Sequence, residues 1–505
     1  MTITRDALED VAPSELRPAQ RRVGSASWLG LDALYTLVFA VIGWVIGSGR
    51  LVDNSFFWHL RTGEIILDHG IPRSDPFSFT AHGIGWIAQS WLIEVVYGGL
   101  YRIAGGVGIR FFGAVLGATI AVLILRLAVR LCHDRMRGAA LGLAVLLAAF
   151  SLWSQRPLLV GLLLFLGLVW LVEVPDSRWA RHTSVVLPLL LWLWVNVHGT
   201  FMLGFAYLGL HLVGRWLDGA VPWEGRERTL LVATAIGFVL AFANPYGPAL
   251  VLFPIHLLGR GDVLSHVIEW KSPSFRELDG QALGLWIVLF VVTAARGTRR
   301  MSRRDLVIAL PFLLLAFWAQ RNIALAAIAT LPLVARGWAR PAGAADTGDG
   351  ERRSMLTGVL VVSALLAIAL VSADVATTKP FDFAGYPVKA MQVVQRDGLL
   401  GSRLASDDGW GGYIILRYWP QQRVFVDDRY DMYPTTFMRR YLDLDERAKD
   451  WDTTLRRYDV EVVVWPTKGP LTPVLAESPD WVRVHADPTA TVFVRRDVAA
   501  AHRLG

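Results

Sequence analysis

Three side chains stand out from an apolar background as capable of chemistry. They are Asp53 in "LVDNSFFWHLRTGE", Arg156 in "WSQRP" and Arg321 in "AQRNI", each at the end of a long apolar run. A carboxylate can take the proton from an incoming hydroxyl. A guanidinium can grip a phosphate bidentately and offset charge developing on a phosphate leaving group. An acid beside arginines at a membrane surface therefore suits transfer of a group from an anionic lipid. Further polar residues sit at run ends: Asn196 and His198 in "NVHGT", Asn244 and Tyr246 in "ANPYG", Glu269 and Lys271 in "IEWKSP", and Gln320 and Asn322 around Arg321. His59 and Asp75 lie in the segment that Asp53 opens.

The elements that must position these residues are membrane spans. Of the 505 residues 54% are hydrophobic and 18% charged, with mean hydropathy +0.42. Repeated apolar runs are long enough for a bilayer core of about 30 Å. Eleven spans are expected, at 27–49, 108–131, 138–155, 157–174, 183–197, 200–217, 229–244, 281–295, 305–319, 322–337 and 355–374. The stretch 90–104, which carries Glu94 and Arg102, decides the orientation. If it lies along the surface and 1–26 is a cytoplasmic tail, 22 basic residues, including "RGTRRMSRR", fall inside, as the positive-inside rule asks. The net charge of +7 is then a topology signal, and no nucleic-acid partner is expected. The single cysteine, Cys132, excludes an internal disulfide framework and a multi-cysteine metal site.

With that topology 27–374 is a membrane domain whose first external loop is 51–107, and 341–353 is a flexible cytoplasmic loop. Residues 375–505 form a small extracytoplasmic α/β domain. There "RVFVDD", "VEVVVWP", "WVRVHAD" and "TATVFVRR" read as strands, with helices near 384–397, 434–449 and 470–477. All the polar run ends named above fall on the outer side, which suggests a cavity opening outward.

Each residue also has a plainer reading. Asp53 is at home as a solvated helix-end residue, and lone arginines at span ends snorkel to headgroups. Asn196 and His198 suit helix caps or bonds across spans, "ANPYG" is a turn, and Trp58 and Trp86 suit the interface. Structural accidents would scatter over both faces, whereas these collect on one.

The stretch "VDNSFFWHLRTGEIILDHGIPRSDPFSFT", followed by "WIAQSWLIEVVYGGLYRIAGGVGIRFFGAVLGA", resembles the opening of the GT-C superfamily of integral-membrane glycosyltransferases. It looks closest to the lipid-A aminoarabinose and protein O-mannosyl branch. The resemblance implies a first external loop opening on an essential acid, here Asp53, with juxtamembrane helices at 56–69 and 90–104. It implies a sugar donor carried on a polyprenyl phosphate, a lipid, glycan or protein acceptor, and inversion at the anomeric carbon. Asp53 would be the base, Arg156 and Arg321 the phosphate ligands, and His59 and Asp75 would shape the loop. Asn196, His198, Glu269 and Gln320 would line the substrate site.

"ASDDGWGGYIILRYWPQQRVFVDDRYDMYP" loosely resembles oligosaccharyltransferase catalytic subunits without their Trp-Trp-Asp motif. Through Trp410, Tyr413, Asp427, Asp428 and Arg429 it would cover the site or bind the acceptor, or form a structural corner. Asn54 stands where many relatives have a second acid. A divalent metal, Mg or Mn, is left open by the sequence but not predicted, since it would find only Asp53 with Asp75 or Glu269 as donors, fewer than hard cations want. The rival reading is a non-catalytic flippase, transporter or assembly factor on the same scaffold. Transporters line a path at the bilayer midplane, whereas here polar residues gather at one end of the spans.

Overall fold

The computed structural model describes residues 30–150, 153–296, 301–340 and 355–504; the expected tail at 1–26 and loop at 341–353 lie outside these. The membrane part is a helical bundle. Its helices are α1 (Leu31–Gly47), α2 (Asn54–His69), α3 (Trp91–Cys132), α4 (Arg135–Ala148), α5 (Pro157–Glu173), α6 (Thr183–Val197) and α7 (Phe201–Leu217). There follow α8 (Gly225–Leu240), α9 (Pro248–Leu258), α10 (Gly261–Leu264), α11 (Leu278–Ala295), α12 (Arg303–Trp318), α13 (Ile323–Gly337) and α14 (Met355–Thr377). Each of the eleven apolar runs carries a helix. Among the described residues three helices are long and apolar enough to cross a membrane by length and composition: Trp91–Cys132, Leu278–Ala295 and Thr357–Thr377. The short apolar helix α9 lies in a connection expected to be loop.

The stretch 90–104 is continuous with helix α3 but set off from the rest of it by a break. At 42 residues the helix would span about 63 Å if straight, but the chain breaks at Gly105, with φ 59° and ψ −156°. Few residues other than glycine reach that region. A short arm, 91–104, therefore precedes a long rod, 106–132. The rod crosses α1 backbone to backbone: a Cβ on Gly43 would stand 2.2 Å from the Gly117 carbonyl oxygen, and one on Gly47 2.1 Å from that of Gly113. Glycines four apart on both helices allow this approach, the device that packs helices where no hydrophobic effect drives them together.

The C-terminal part holds a four-stranded sheet in the order β1 (Leu404–Ser406), β2 (Val462–Pro466), β4 (Ala490–Arg495), β3 (Trp481–Ala486). The β1–β2 pair is parallel and the others antiparallel. Around it lie α15 (Val388–Arg396), α16 (Gly411–Tyr418), α17 (Thr435–Arg447), α18 (Trp451–Arg457), α19 (Leu471–Glu477) and α20 (Arg496–Ala501). Three of the four expected strands form.

The exception is "RVFVDD". Its alternation is real, but its partner is the first external loop: Val424 bridges to Ser78, with Val424 N–H donating to the Phe77 carbonyl at 3.0 Å and Phe79 N–H to the Val424 carbonyl at 3.0 Å. The sheet edge is supplied by Leu404–Ser406 instead. Consequently the C-terminal part and the 51–107 loop share one hydrophobic core, in which Phe56, Phe57, Phe77 and Trp86 pack with Tyr413, Val424 and Phe425. A separate core fills the bundle.

Candidate active site

Asp53 is the N-cap of α2, its Oδ1 accepting from Phe56 N–H at 3.2 Å, which satisfies one orphan donor of the first turn. Its Oδ2 accepts from Arg156 Nε at 2.6 Å. Arg156 caps α5 from the turn after α4, and its Nη1 reaches Glu269. One guanidinium thus bridges two carboxylates from different connections. Burial acts to lower the Arg156 pKa, but Asp53 and Glu269 outweigh it and raise it.

Arg321 sits in the short turn Gln320–Asn322 between α12 and α13. It lies within electrostatic reach of Glu269 and Arg156, and stacks over the Trp270 ring at 4.8 Å. Burial holds it below its ordinary range, opposed by Glu269 and reinforced by Arg156. Among the described residues no carboxylate forms an ion pair with it. The guanidinium is half-buried, and its donors are open to a bound anion, which it would grip by charge-assisted hydrogen bonds.

His198 completes this side. Its Nδ1 accepts from Thr200 N–H at 3.2 Å, so the ring proton resides on Nε2. Burial, Arg321 and Arg156 push its pKa down to about 3.

From the C-terminal part comes Asp428, half-buried, accepting from Ser55 Oγ at 2.5 Å and from Trp58 Nε1 at 2.6 Å. Burial raises it to about 7; the Ser55 bond and Arg156 oppose this, while Asp427 and Asp53 add to it. His59 lies one residue beyond Trp58, ring centroids 3.6 Å apart. Its Nδ1 is 2.6 Å from Glu94 Oε1 on the α3 arm. Burial moves the two pKa values in opposite directions, His59 well below and Glu94 well above the ordinary value.

The structure brings together Asp53, Arg156, Glu269, Arg321, His198 and Asp428, with His59 behind Trp58. Other expected site residues are taken up elsewhere. Asp75 and Arg429 are both 0% exposed and pair with each other at 2.8 Å. Arg429 also pairs with Asp427 at 2.6 Å, and Asp75 accepts from the Phe77 and Ser78 N–H groups at 3.1 and 2.9 Å. This buried triad fastens the first loop to the C-terminal part.

Asn196 accepts from Trp91 Nε1 at 2.9 Å, tying the α3 arm to α6. Gln320 Nε2 donates to the Ile268 carbonyl at 2.8 Å. Asn244 closes its turn through Tyr246 N–H at 2.8 Å. Trp410 donates to the Gly385 carbonyl at 3.2 Å, and Tyr413 packs its ring against Phe383 and Tyr386; both are buried in the shared core. Lys271 is exposed.

Sequence reasoning missed Ser55, Asn54 and the role of Glu94. An acid in the apolar 90–104 stretch was the available signal for Glu94. Asn54 donates to the Asp408 carbonyl at 3.1 Å and accepts from Gly412 N–H at 2.8 Å. A Cβ on Gly412 would lie 2.0 Å from the Asn54 carbonyl oxygen. Asn54 thus serves docking of the C-terminal part onto α2. Of the oxygen donors considered for a metal, Asp53 and Glu269 are bridged by Arg156 and Asp75 is sealed behind Arg429. Among the described residues no group of three metal-type side chains converges. The donor set does not fit a divalent ion.

No protein-family model and no curated protein matches the sequence. Among solved structures, the archaeal oligosaccharyltransferase AglB from Archaeoglobus fulgidus, in complex with an inhibitory peptide and a dolichol-phosphate, superposes with TM-score 0.55. The match covers 88% of this chain and 70% of that one at 10% identity. The chain has that fold. That fold agrees with the architecture expected from the resemblance of the first loop. ArnT from Cupriavidus metallidurans, bound to undecaprenyl phosphate, aligns over 93% of this chain and 98% of its own with TM-score 0.48 and 14% identity.

Proposed function

We propose that the protein is a membrane glycosyltransferase that moves a sugar from a polyprenyl-phosphate carrier to an acceptor hydroxyl. The bundle would cross the cytoplasmic membrane of a bacterium eleven times, its Asp53 end and C-terminal part facing outward and its N-terminus in the cytoplasm. The carrying observation is the convergence of Asp53, bridged by Arg156 to Glu269, with Arg321, a half-buried guanidinium that forms no ion pair with a carboxylate among the described residues. The fold shared with an oligosaccharyltransferase captured with dolichol-phosphate supports the reading.

In the proposed step the acceptor oxygen attacks the anomeric carbon from the face opposite the phosphate, so the configuration inverts. The hydroxyl proton passes to Asp53, whose oxygens keep lone pairs beyond the Phe56 and Arg156 bonds. The bond from C1 to the phosphate oxygen breaks, and its electron pair leaves with the polyprenyl phosphate. Arg321 neutralises that departing charge in a site shielded from water, where such contacts count most. Arg156 holds Asp53 toward the acceptor and faces the same anion. His198 offers its Nε2–H, and Asp428, with Ser55 and Trp58, borders the acceptor side. Asp75 and Arg429 act as the frame.

The test is transfer of a labelled sugar from polyprenyl phosphate in membranes carrying Asp53→Asn. Asparagine still caps α2, so the variant should reach wild-type abundance while transfer falls about 10²–10⁴-fold, the range for a lost general base. Wild-type transfer by a folded Asp53→Asn protein would end the enzymatic reading.

A further inference from the structure

A second polar constellation occupies the opposite end of the bundle. Helix α5 leads from Arg156 at one end to Glu173 at the other, 17 residues or about 25 Å. Glu173 is buried and accepts from Tyr207 Oη at 2.6 Å, from Arg336 Nη2 at 2.5 Å and from Arg304. Arg304 Nε donates to His211 Nδ1 at 3.1 Å. These groups come from α5, α7, α12 and α13, and beside them opens a cavity of about 470 Å³ that also takes in Arg215 and Arg226 of the α7–α8 hairpin.

The charges lining this cavity are unequally committed. Glu173 is shared between Arg304 and Arg336, and Glu227 is taken by Arg215 at 2.7 Å. Asp218 accepts from the backbone N–H groups of Arg303 and Arg304, at 2.9 and 3.3 Å. Asp305 caps its own helix and meets Arg304 at 3.2 Å. Arg226 is left with carbonyls: its Nη2 donates to Leu171 and Val172 at 2.7 Å each. Among the described residues Arg336 makes its bonds through Nη2, which leaves Nη1 and Nε for another acceptor.

Two tryptophans of the hairpin that carries Arg215 and Arg226 indicate the depth of the cavity. Trp216 and Trp223, on either side of the turn joining α7 to α8, are 61% and 70% exposed. Exposed tryptophans beside arginines mark the membrane–water boundary. Basic pockets between membrane helices at that level take anionic lipid headgroups.

We propose that this cavity binds the phosphate of an anionic phospholipid from the leaflet opposite the Asp53 site, with Arg226 as principal ligand and Arg336 as the second. The site is independent of the transferase reading: it shares no residue with it and requires no catalysis. Glu173 orients the arginines around the cavity, and the tryptophans hold its mouth at headgroup depth.

The experiment is thermal unfolding of the purified full-length chain in neutral detergent, titrated separately with phosphatidylglycerol, phosphatidylcholine and inorganic phosphate. Phosphatidylglycerol should raise the unfolding temperature saturably, and the other two should not. Arg226→Gln should unfold like wild type without lipid yet need about tenfold more phosphatidylglycerol, the loss expected for one charge-assisted contact. Equal responses to the two lipids, or an unchanged titration in Arg226→Gln, would overturn the proposal. Inorganic phosphate reproducing the shift would overturn the lipid as source. Should Arg226→Gln fail to fold, native mass spectrometry of wild type decides: preferential retention of phosphatidylglycerol supports the site, and equal retention of both lipids overturns it.

Discussion

The two ends of the bundle use the same residue types to opposite effect. At the Asp53 end an arginine, Arg156, is shared between two carboxylates, and a further arginine, Arg321, has none in contact. At the other end a carboxylate, Glu173, is shared between two arginines and a tyrosine. The carboxylate-centred knot saturates its acceptor with donors and closes the helix ends together. The arginine-bridged arrangement leaves donors over, and those donors can meet a substrate. In the proposed readings the arginine-centred pair faces the sugar donor, whereas the carboxylate-centred knot fastens helix ends beside a cavity whose remaining arginine donors meet a lipid phosphate.

Arg321→Ala is the sharpest way to break that comparison. Loss of one preorganised donor to a developing oxyanion costs roughly 10²–10³ in rate, so sugar transfer should fall by that factor. Stability should hold, because the half-buried guanidinium forms no ion pair among the described residues that the change would break. Transfer is read with labelled donor and stability by thermal unfolding; a large loss of stability would mean that Arg321 is structural.

Glu173→Ala should do the reverse. It leaves Arg304 and Arg336 without their common partner, a change worth about 3–5 kcal/mol when one member of a buried pair is removed. A lower unfolding temperature is expected, with donor affinity unchanged in the folded fraction. Wild-type stability would show that the knot fastens nothing.

The smallest effect concerns Asp428. Its folded pKa of about 7 lies above the ordinary 3.8, so between about pH 4 and about pH 7 the native state holds more protons than the unfolded one. Stability then falls as pH rises through that window and levels off above it. Asp428→Asn should remove this contribution and unfold at a higher temperature than wild type at about pH 8, the difference shrinking toward pH 4. Subtracting the two profiles isolates Asp428 from Asp407, Asp431 and Asp445, whose pKa values are also raised by burial. Parallel profiles would refute the assignment.

Much of the fold is legible in the residues. Apolar runs bounded by arginines mark the bundle helices, because a backbone in lipid must satisfy its own hydrogen bonds. Asp53 announces itself as an acid directly after such a run, whereas the break at Gly105 between the arm and the rod was seen only in the structure. The rest needed partners distant in sequence. "RVFVDD" alternates like any strand, and nothing local says that it pairs with Ser78 in the first loop. Asp75 and Arg429 look as reactive as Asp53 and Arg156 until tertiary contact buries them against each other.

By itself, then, the chain determined where helices form and which short connections carry charge, since hydropathy and helix termini act over a few residues. Which of those charges are consumed and which remain available depended on pairs more than a hundred positions apart, Arg156 with Asp53 and Glu269, Glu173 with Arg304 and Arg336. Only packing settles that, because an ion's availability is set by the groups that surround it and by the water they exclude.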